Sequence, residues 1–234
     1  MLFIVATPIG NLKDITLRAL EILQTADVIA CEDTRRTGQL LKHHNISEIR
    51  GGQAPSLLSF HEHSGPGRVR EIISLLKEGK NVALVSDGGT PLISDPGFPL
   101  VREAIREGIR VEAIPGPSAV IAALAASGLP TERFSFWGFL PAKSGQRKKE
   151  LKEASSLEHT LVFFESPHRL TATLSEMAEI FGEREAVLCR ELTKKFEEIL
   201  RGTLAELTKH SKEKKLLGEM VLIVAGKGRK KIFK

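Results

Sequence analysis

The chain is poor in cysteine: Cys31 and Cys189 are the only two, far apart and each among apolar residues. That usage supports neither a disulfide framework nor a metal site, and it reads as two buried thiols. Zinc-ligand spacing is missing altogether. No stretch approaches eighteen uninterrupted apolar residues, so no transmembrane helix is expected. The opening MLFIVATPIGN is apolar but has no basic n-region and no cleavage site. It reads as a first strand, and a cytoplasmic location is expected. There is no GxxxxGK(S/T) and no GxGxxG behind the first strand, which argues against the common phosphate-cradling loops. Internal repeats and low-complexity segments are also lacking.

What is present is a globular composition. The 234 residues are 41% apolar and 27% charged, enough for one large domain or two small ones with a real core. The net charge of +5 is unevenly spread. Through Pro115 there are 13 basic and 14 acidic residues; from Gly116 onward there are 21 and 15. The excess gathers at Arg147-Lys148-Lys149, at Lys212-Lys214-Lys215 and in the tail from Lys227 to Lys234. Such clusters can neutralise phosphates and speed encounter with nucleic acid, or can be solvated helix faces and a frayed end.

Apolar runs alternate with helical patterns. Strands are expected over residues 2–6, 28–31, 81–85 and 109–114, and helices over 16–25, 69–78 and 99–107. Asp14 or Thr16 can cap the first helix, while Gly79 and Gly108 can end the later two. This rhythm implies a mostly parallel sheet covered by helices. Beyond Pro115 the reading is helices over 118–126, 147–156, 169–181 and 204–210, with strands over 134–140, 160–164, 186–190, 197–202 and 219–225. Strands dominate there and several look like hairpin partners. The expected fold is therefore α/β in two α/β domains: residues 1–115 with a mostly parallel sheet, and residues 116–234 with a mixed sheet and a basic tail.

The most informative stretch is Ser86 to Gly97, SDGGTPLISDPG, directly behind the apolar run Val82 to Val85. Gly88 and Gly89 permit dihedrals that side chains forbid and let a ligand approach the backbone. A loop of this kind at the carboxyl end of a buried strand is where open α/β sheets bind ligands. Other strand ends repeat the pattern: Thr7-Pro8-Ile9-Gly10-Asn11, Glu32-Asp33-Thr34-Arg35, Pro115-Gly116-Pro117-Ser118-Ala119, Gly138-Phe139-Leu140-Pro141 and Glu165-Ser166-Pro167-His168-Arg169. Six such loops are expected to converge on a small-molecule site in a cleft between the two domains.

Taken in order, TPIGNLxDI, EDTR, SDGGTPLISDPG, PGPSA, GFLP and ESPHR resemble the tetrapyrrole methylase superfamily. Within it they resemble the ribosomal RNA small subunit methyltransferase I family, over Met1 to about Gly226. The resemblance implies a tetrapyrrole-methylase fold, usually dimeric. It implies transfer of a methyl group from S-adenosylmethionine to the ribose 2′-hydroxyl of a cytidine in the decoding region of 16S rRNA. Gly88 stands where the family's SDAGTP has alanine, and the chain stops soon after its last strand where many members continue. The partners implied are the small ribosomal subunit or its 16S rRNA and a second copy of the chain, with no metal and no membrane.

The residues suit those roles. Adenosylmethionine carries no phosphate, in keeping with the missing nucleotide glycines. Asp87, Gly88, Gly89 and Thr90 can offer it backbone and polar contacts, with Ile93 as an apolar wall. Ser118 and Ala119 lie at a helix start, where amides suit a carboxylate, although Ser118 can also be no more than a cap. Pro8 and Gly10 allow close approach, and the resemblance adds Phe139, Leu140 and Met220. The ribose hydroxyl is a poor acid, so a general base would help; Glu32, Asp33, Glu165 and His168 are the candidates. Asn11, Arg35, Arg169, Arg147, Lys148 and Lys149 are assigned to RNA. For Glu32, Arg35, Glu165 and Arg169 the alternative is an ion-pair network tying the two domains together. Two further readings stay open: a methylase of the same fold acting on a tetrapyrrole precursor, and an RNA-binding module without catalysis.

Overall fold

The computed structural model describes residues 1–46 and 54–233; Lys234 of the basic tail lies outside them. The chain divides into two compact units, Met1–Ser118 and Ala119–Lys234. Among the described residues no helix is long and apolar enough to cross a membrane.

Unit 1 alternates strand and helix: β1 (Leu2–Val5), α1 (Leu17–Thr25), β2 (Val28–Cys31), α2 (Thr34–His43), β3 (Ser56–Ser59), α3 (Pro66–Lys77), β4 (Val82–Val85), α4 (Phe98–Arg106) and β5 (Val111–Ile114). The strands form one parallel sheet in the order β3-β2-β4-β1-β5. Their runs LFIV, VIAC and VALV are buried on both faces, as helix-covered parallel strands require. Leu2, Ile4, Val82 and Leu84 pack with Ile72 and Leu76 of α3 and Leu100 and Ala104 of α4. Phe3, Val5, Ile29 and Val85 point the other way, onto Ala19 and Leu23 of α1 and Leu41 of α2. Thr16, not Asp14, caps α1 by accepting from the Ala19 amide.

Two elements of this unit were not anticipated. Helix α2 is strongly polar, and its cap, Asp33, belongs to the EDTR stretch read above as a loop. Strand β3 holds only two apolar residues and sits at the sheet edge, where one flank stays open to water.

Unit 2 contains α5 (Ala119–Ser127), β6 (Phe134–Phe139), α6 (Ser144–Ala154), β7 (Thr160–Glu165), α7 (Leu170–Phe181), β8 (Glu185–Arg190), β9 (Glu198–Thr203), α8 (Leu204–Glu213) and β10 (Met220–Val224). Its sheet is mixed, in the order β6-β7-β10-β8-β9, with only the β6–β7 pair parallel. Leu161, Phe163, Leu188 and Leu222 face α6, α7 and α8; Val162, Val187, Cys189 and Ile223 face α5. The final strand β10 thus lies in the middle of the sheet, buried along its whole length. Both cysteines are buried free thiols.

Because Leu222 is fully buried in β10, Leu222→Ala is expected to destabilise the protein by about 2–5 kcal/mol through lost transfer energy and a residual cavity. Denaturant midpoints would show it. Thr203→Ala, which removes the capping box of α8, should cost only about 1 kcal/mol.

Candidate active site

Three loops at the carboxyl edge of the unit 1 sheet are bonded to one another. Thr7, beyond β1, exchanges both backbone hydrogen bonds with Gly89, each 2.9 Å long. The Thr7 hydroxyl donates to the Ser86 carbonyl at 3.1 Å. Thr90 then donates its hydroxyl to the Pro117 carbonyl, also at 3.1 Å, joining the loop after β4 to the one after β5. The backbones run so close that a Cβ on Gly88 would sit 3.2 Å from the Pro8 carbonyl oxygen. Alanine would be tight there, and glycine leaves the approach free.

The loop after β4 is also conformationally unusual. Gly89 has φ +96° and Gly97 φ +142°, while Leu92 and Ser94, which are not glycines, sit at +74° and +66°. Left-handed backbone at non-glycine residues costs on the order of 1 kcal/mol each and tends to mark functional loops. Gly97 cannot be replaced easily: a Cβ would lie 3.0 Å from the Leu84 side chain.

A second set of bonds ties this loop to the start of α2. Asp33 donates its amide to Asp87 Oδ1 at 3.1 Å. The Asp87 amide points back to Glu32 Oε2 at 3.4 Å, and Arg36 reaches Asp87 Oδ2 at 3.4 Å. Asp33 Oδ1 caps α2 by accepting from the Arg35 amide at 2.8 Å, and the same carboxylate holds the Arg35 guanidinium. Glu32, Asp33, Asp87 and Asp95 therefore crowd one edge with two arginines in attendance.

That crowding separates the carboxyls chemically. Burial, reinforced by the charge of Asp95, pushes Glu32 up to about 6. Asp95 is raised as well, by burial and then by the charge of Asp87. Asp33 goes the other way, because hydrogen bonds from Arg35 hold it below the usual carboxylate range. It is the weaker proton acceptor of the pair.

The remaining unit 1 candidates fall around the same edge. Pro8 is buried, Gly10 and Asn11 are exposed, and Asn11 accepts from the Lys13 amide within its own turn. Ile93 is an exposed apolar residue. Half-buried Ser118 immediately precedes α5, which opens on Ala119. The Arg35 side chain is 86% exposed despite its bond to Asp33.

Unit 2 brings its own two loops together. The Arg169 guanidinium donates to the Leu140 carbonyl at 3.0 Å and to Glu165 Oε1 at 3.1 Å. Glu165 and Arg169 are thus ion-paired with each other inside one unit, not across two. Glu165 is almost wholly buried, and its Oε2 finds no hydrogen-bond partner among the described residues. His168 is exposed and Phe139 is 56% exposed. Leu140 and Met220, by contrast, belong to the hydrophobic core, so their side chains pack inward and only their backbone groups remain for a ligand.

Arg147 requires a correction. It is 5% exposed, with its guanidinium bonded twice to Glu176 and to the carbonyls of Pro141 and Ala142. This arginine cross-links α6 to α7 and has no free face for a phosphate. Lys148 pairs with Glu179 at 2.8 Å, and Lys149 is exposed.

The sequence reading passed over the loop behind β3. Phe60 continues the strand pairing by donating its amide to the Cys31 carbonyl at 2.8 Å, and His61, Glu62 and His63 follow in a tight turn closed by Ser64. This loop sits beside EDTR on the same carboxyl edge. Its signal was FHEHS, two histidines flanking a glutamate, but without β3 nothing placed it at a strand end. Among the described residues no group of three or more His, Cys, Asp or Glu side chains is arranged to hold a metal.

Between pH 4.5 and about 6 the raised Glu32 carboxyl binds more protons in the folded than in the unfolded chain. Stability from this group therefore falls as pH rises through that window and is level above it. Glu32→Gln should remove this slope and raise the thermal midpoint at neutral pH relative to wild type. Identical midpoint-versus-pH curves for both proteins would refute the assignment.

Residues 1–208 match the family model of tetrapyrrole (corrin/porphyrin) methylases. The chain is 52% identical to ribosomal RNA small subunit methyltransferase I of Halalkalibacterium halodurans, covering 98% of this chain and 77% of that protein. It is 49% identical to the protein of that name from Thermotoga maritima, covering 97% and 98%. A solved structure of uroporphyrin-III C-methyltransferase from Thermus thermophilus, in complex with S-adenyl homocysteine, superposes with a TM-score of 0.65 at 19% identity, over 96% of each chain. With half its residues shared over nearly its whole length, this chain belongs to the ribosomal RNA small subunit methyltransferase I family of tetrapyrrole-methylase-fold proteins.

Proposed function

We propose that this protein transfers the methyl group of S-adenosylmethionine to the ribose 2′-hydroxyl of a cytidine in the decoding region of 16S rRNA. It works in the cytoplasm, as a homodimer, on the small ribosomal subunit or its RNA. The observation that carries this reading is the bonded set of loops around Thr7, Gly89 and Thr90, in a chain half identical to relatives named for rRNA methylation.

The unit 1 edge suits the cofactor. A sulfonium compound without phosphate asks for backbone polar groups and nearby negative charge rather than a cationic cradle. Gly88 offers exposed backbone, Ile93 an apolar surface, and Asp87 and Asp95 carboxylates. The bound cofactor supplies an already activated methyl carbon. The protein's remaining tasks are to hold the ribose hydroxyl in line with it and to take up the proton. Glu32 takes the proton: a carboxyl near 6 is mostly ionised at neutral pH and is still a better base than Asp33. Arg35, largely exposed, holds phosphates of the RNA.

The test is to incubate the purified protein with radiolabelled cofactor and either naked 16S rRNA or 30S subunits, then hydrolyse the RNA with alkali. A 2′-O-methyl group blocks cleavage, so label is expected in an alkali-resistant dinucleotide with cytidine on its 5′ side. Label released in mononucleotides would mean base methylation, and label in a tetrapyrrole added as competitor would favour that substrate class; either outcome overturns the reading. Asp87→Ala, which unties the EDTR turn from the loop after β4, is expected to abolish cofactor binding by calorimetry. Unchanged affinity would sink the assignment of that loop to the cofactor.

A further inference from the structure

Unit 2 has a concave site at the sheet edge opposite Glu165 and Arg169. Glu165 pairs with Met220 at the start of β10, whereas the cavity, of about 360 Å³, opens beyond the end of β10 at Ala225 and Gly226. Strand β10 is five residues long, so about 15 Å of extended chain separates the two edges.

Four cations line this cavity: Arg184, Lys227, Arg229 and Lys231. Two carboxylates accompany them, Glu183 and Glu185. Glu185 is spent elsewhere. It is 6% exposed and accepts backbone amides from Ile232, at 2.7 and 2.8 Å, and from Phe233, at 2.5 Å. That clamp holds the basic tail across the start of β8, and Phe233 packs into the core beside α5.

The turn carrying the cations is also fixed. A Cβ on Gly226 would fall 2.0 Å from the Glu158 carbonyl oxygen, so only glycine fits this approach. Lys227 donates its amide to the Leu157 carbonyl at 2.8 Å, and Gly228 turns the chain at φ +73°. Arg184 lies with its guanidinium carbon 4.8 Å from the centre of the Phe181 ring, donating to the carbonyls of Ser155 and Ala225. Among the described residues no carboxylate oxygen lies within ion-pair distance of Arg184, Lys227, Arg229 or Lys231. Desolvation lowers the Arg184 pKa, with no compensating charge.

We infer that this cavity binds a phosphate group of the RNA backbone. The inference rests on the rRNA reading above for its ligand, and on the cavity alone for its chemistry. A half-buried arginine without a counter-ion, met by Lys227 and Arg229 on a fixed turn and by Lys231 on the clamped tail, provides forked donors and positive charge for a phosphate. A free polyphosphate offers the same chemistry, so the experiment has to separate the two.

The decisive variant is Lys227→Ala/Arg229→Ala/Lys231→Ala, which spares the half-buried Arg184. Binding of a short decoding-region RNA is measured over a range of salt concentrations, beside a control lacking Lys80, Arg110 and Lys209. The cavity variant is expected to bind RNA at least ~10-fold more weakly, with the slope of log affinity against log salt reduced by about 1, while the control moves little. Cofactor affinity, read by calorimetry, reports that the fold is intact. Unaltered RNA affinity and slope in the cavity variant would overturn the inference. So would binding of tripolyphosphate to the wild type, lost in the variant, without any RNA binding. If RNA binds through these residues but accepts no methyl group, the cavity assignment stands and the methylation reading falls.

Discussion

The reciprocal pair of hydrogen bonds between Thr7 and Gly89 is the constraint on which the unit 1 site rests. Parallel strands leave their carboxyl-end groups to be satisfied by whatever follows them, and polar groups left unmade at a partly buried edge are costly. Here the loops satisfy each other. Thr7 binds Gly89 and Ser86, Thr90 binds Pro117, and Asp33 binds Asp87. Such an arrangement needs residues small enough for two backbones to meet, so a Cβ at Gly88 or Gly116 would come within 3.2 or 3.0 Å of a neighbouring loop. The glycines thus serve the loops' contact with each other, and the exposed backbone of Gly88 is what that packing leaves over for a ligand.

The same packing brings together carboxylates that would otherwise repel one another. Asp87 sits in the middle, giving its side chain to the Asp33 amide and to Arg36, and its own amide to Glu32. Asp33 is stabilised as an anion by Arg35, whereas burial pushes Glu32 and Asp95 toward their neutral forms, reinforced by the charge of Asp95 on Glu32 and of Asp87 on Asp95. The carboxyls of this one cluster thus differ in proton affinity, with Asp33 held ionised and Glu32 the more ready to take a proton. A uniform ion-pair network would leave every carboxyl low.

The fold was legible where residue pattern and burial agree. LFIV, VIAC and VALV became the central parallel strands because continuous β-branched and aliphatic runs have no exposed face to spare. It failed at α2 and β3 for opposite reasons. In α2 the buried side is only Thr37, Leu40 and Leu41 in a polar sequence, and the Asp33 cap disguised itself as part of a loop motif. In β3 an edge position removes the need for an apolar run. Missing β3 hid the His61-Glu62-His63 turn, although it stands next to EDTR. At Leu140 and Met220 the motif locates a backbone segment, while the side chains belong to the core, an orientation the sequence does not show.

Arginine shows the same limit most sharply, because its use depends on the carboxylates that meet it. Arg147 lies in a basic run and reads as a phosphate ligand, yet Glu176 neutralises it and two carbonyls complete its bonding, so it is a cross-link between helices. Arg184 lies between two glutamates in the sequence, Glu183 and Glu185. In the folded chain Glu185 turns away to hold the amides of the tail, and Arg184 keeps its charge against an aromatic ring beside three further cations. Local sequence charge points the wrong way in both cases. What decides is which carboxylate has a more demanding partner: a buried glutamate offered backbone amides no longer serves its neighbouring cation, and the charge it releases becomes available to an incoming anion.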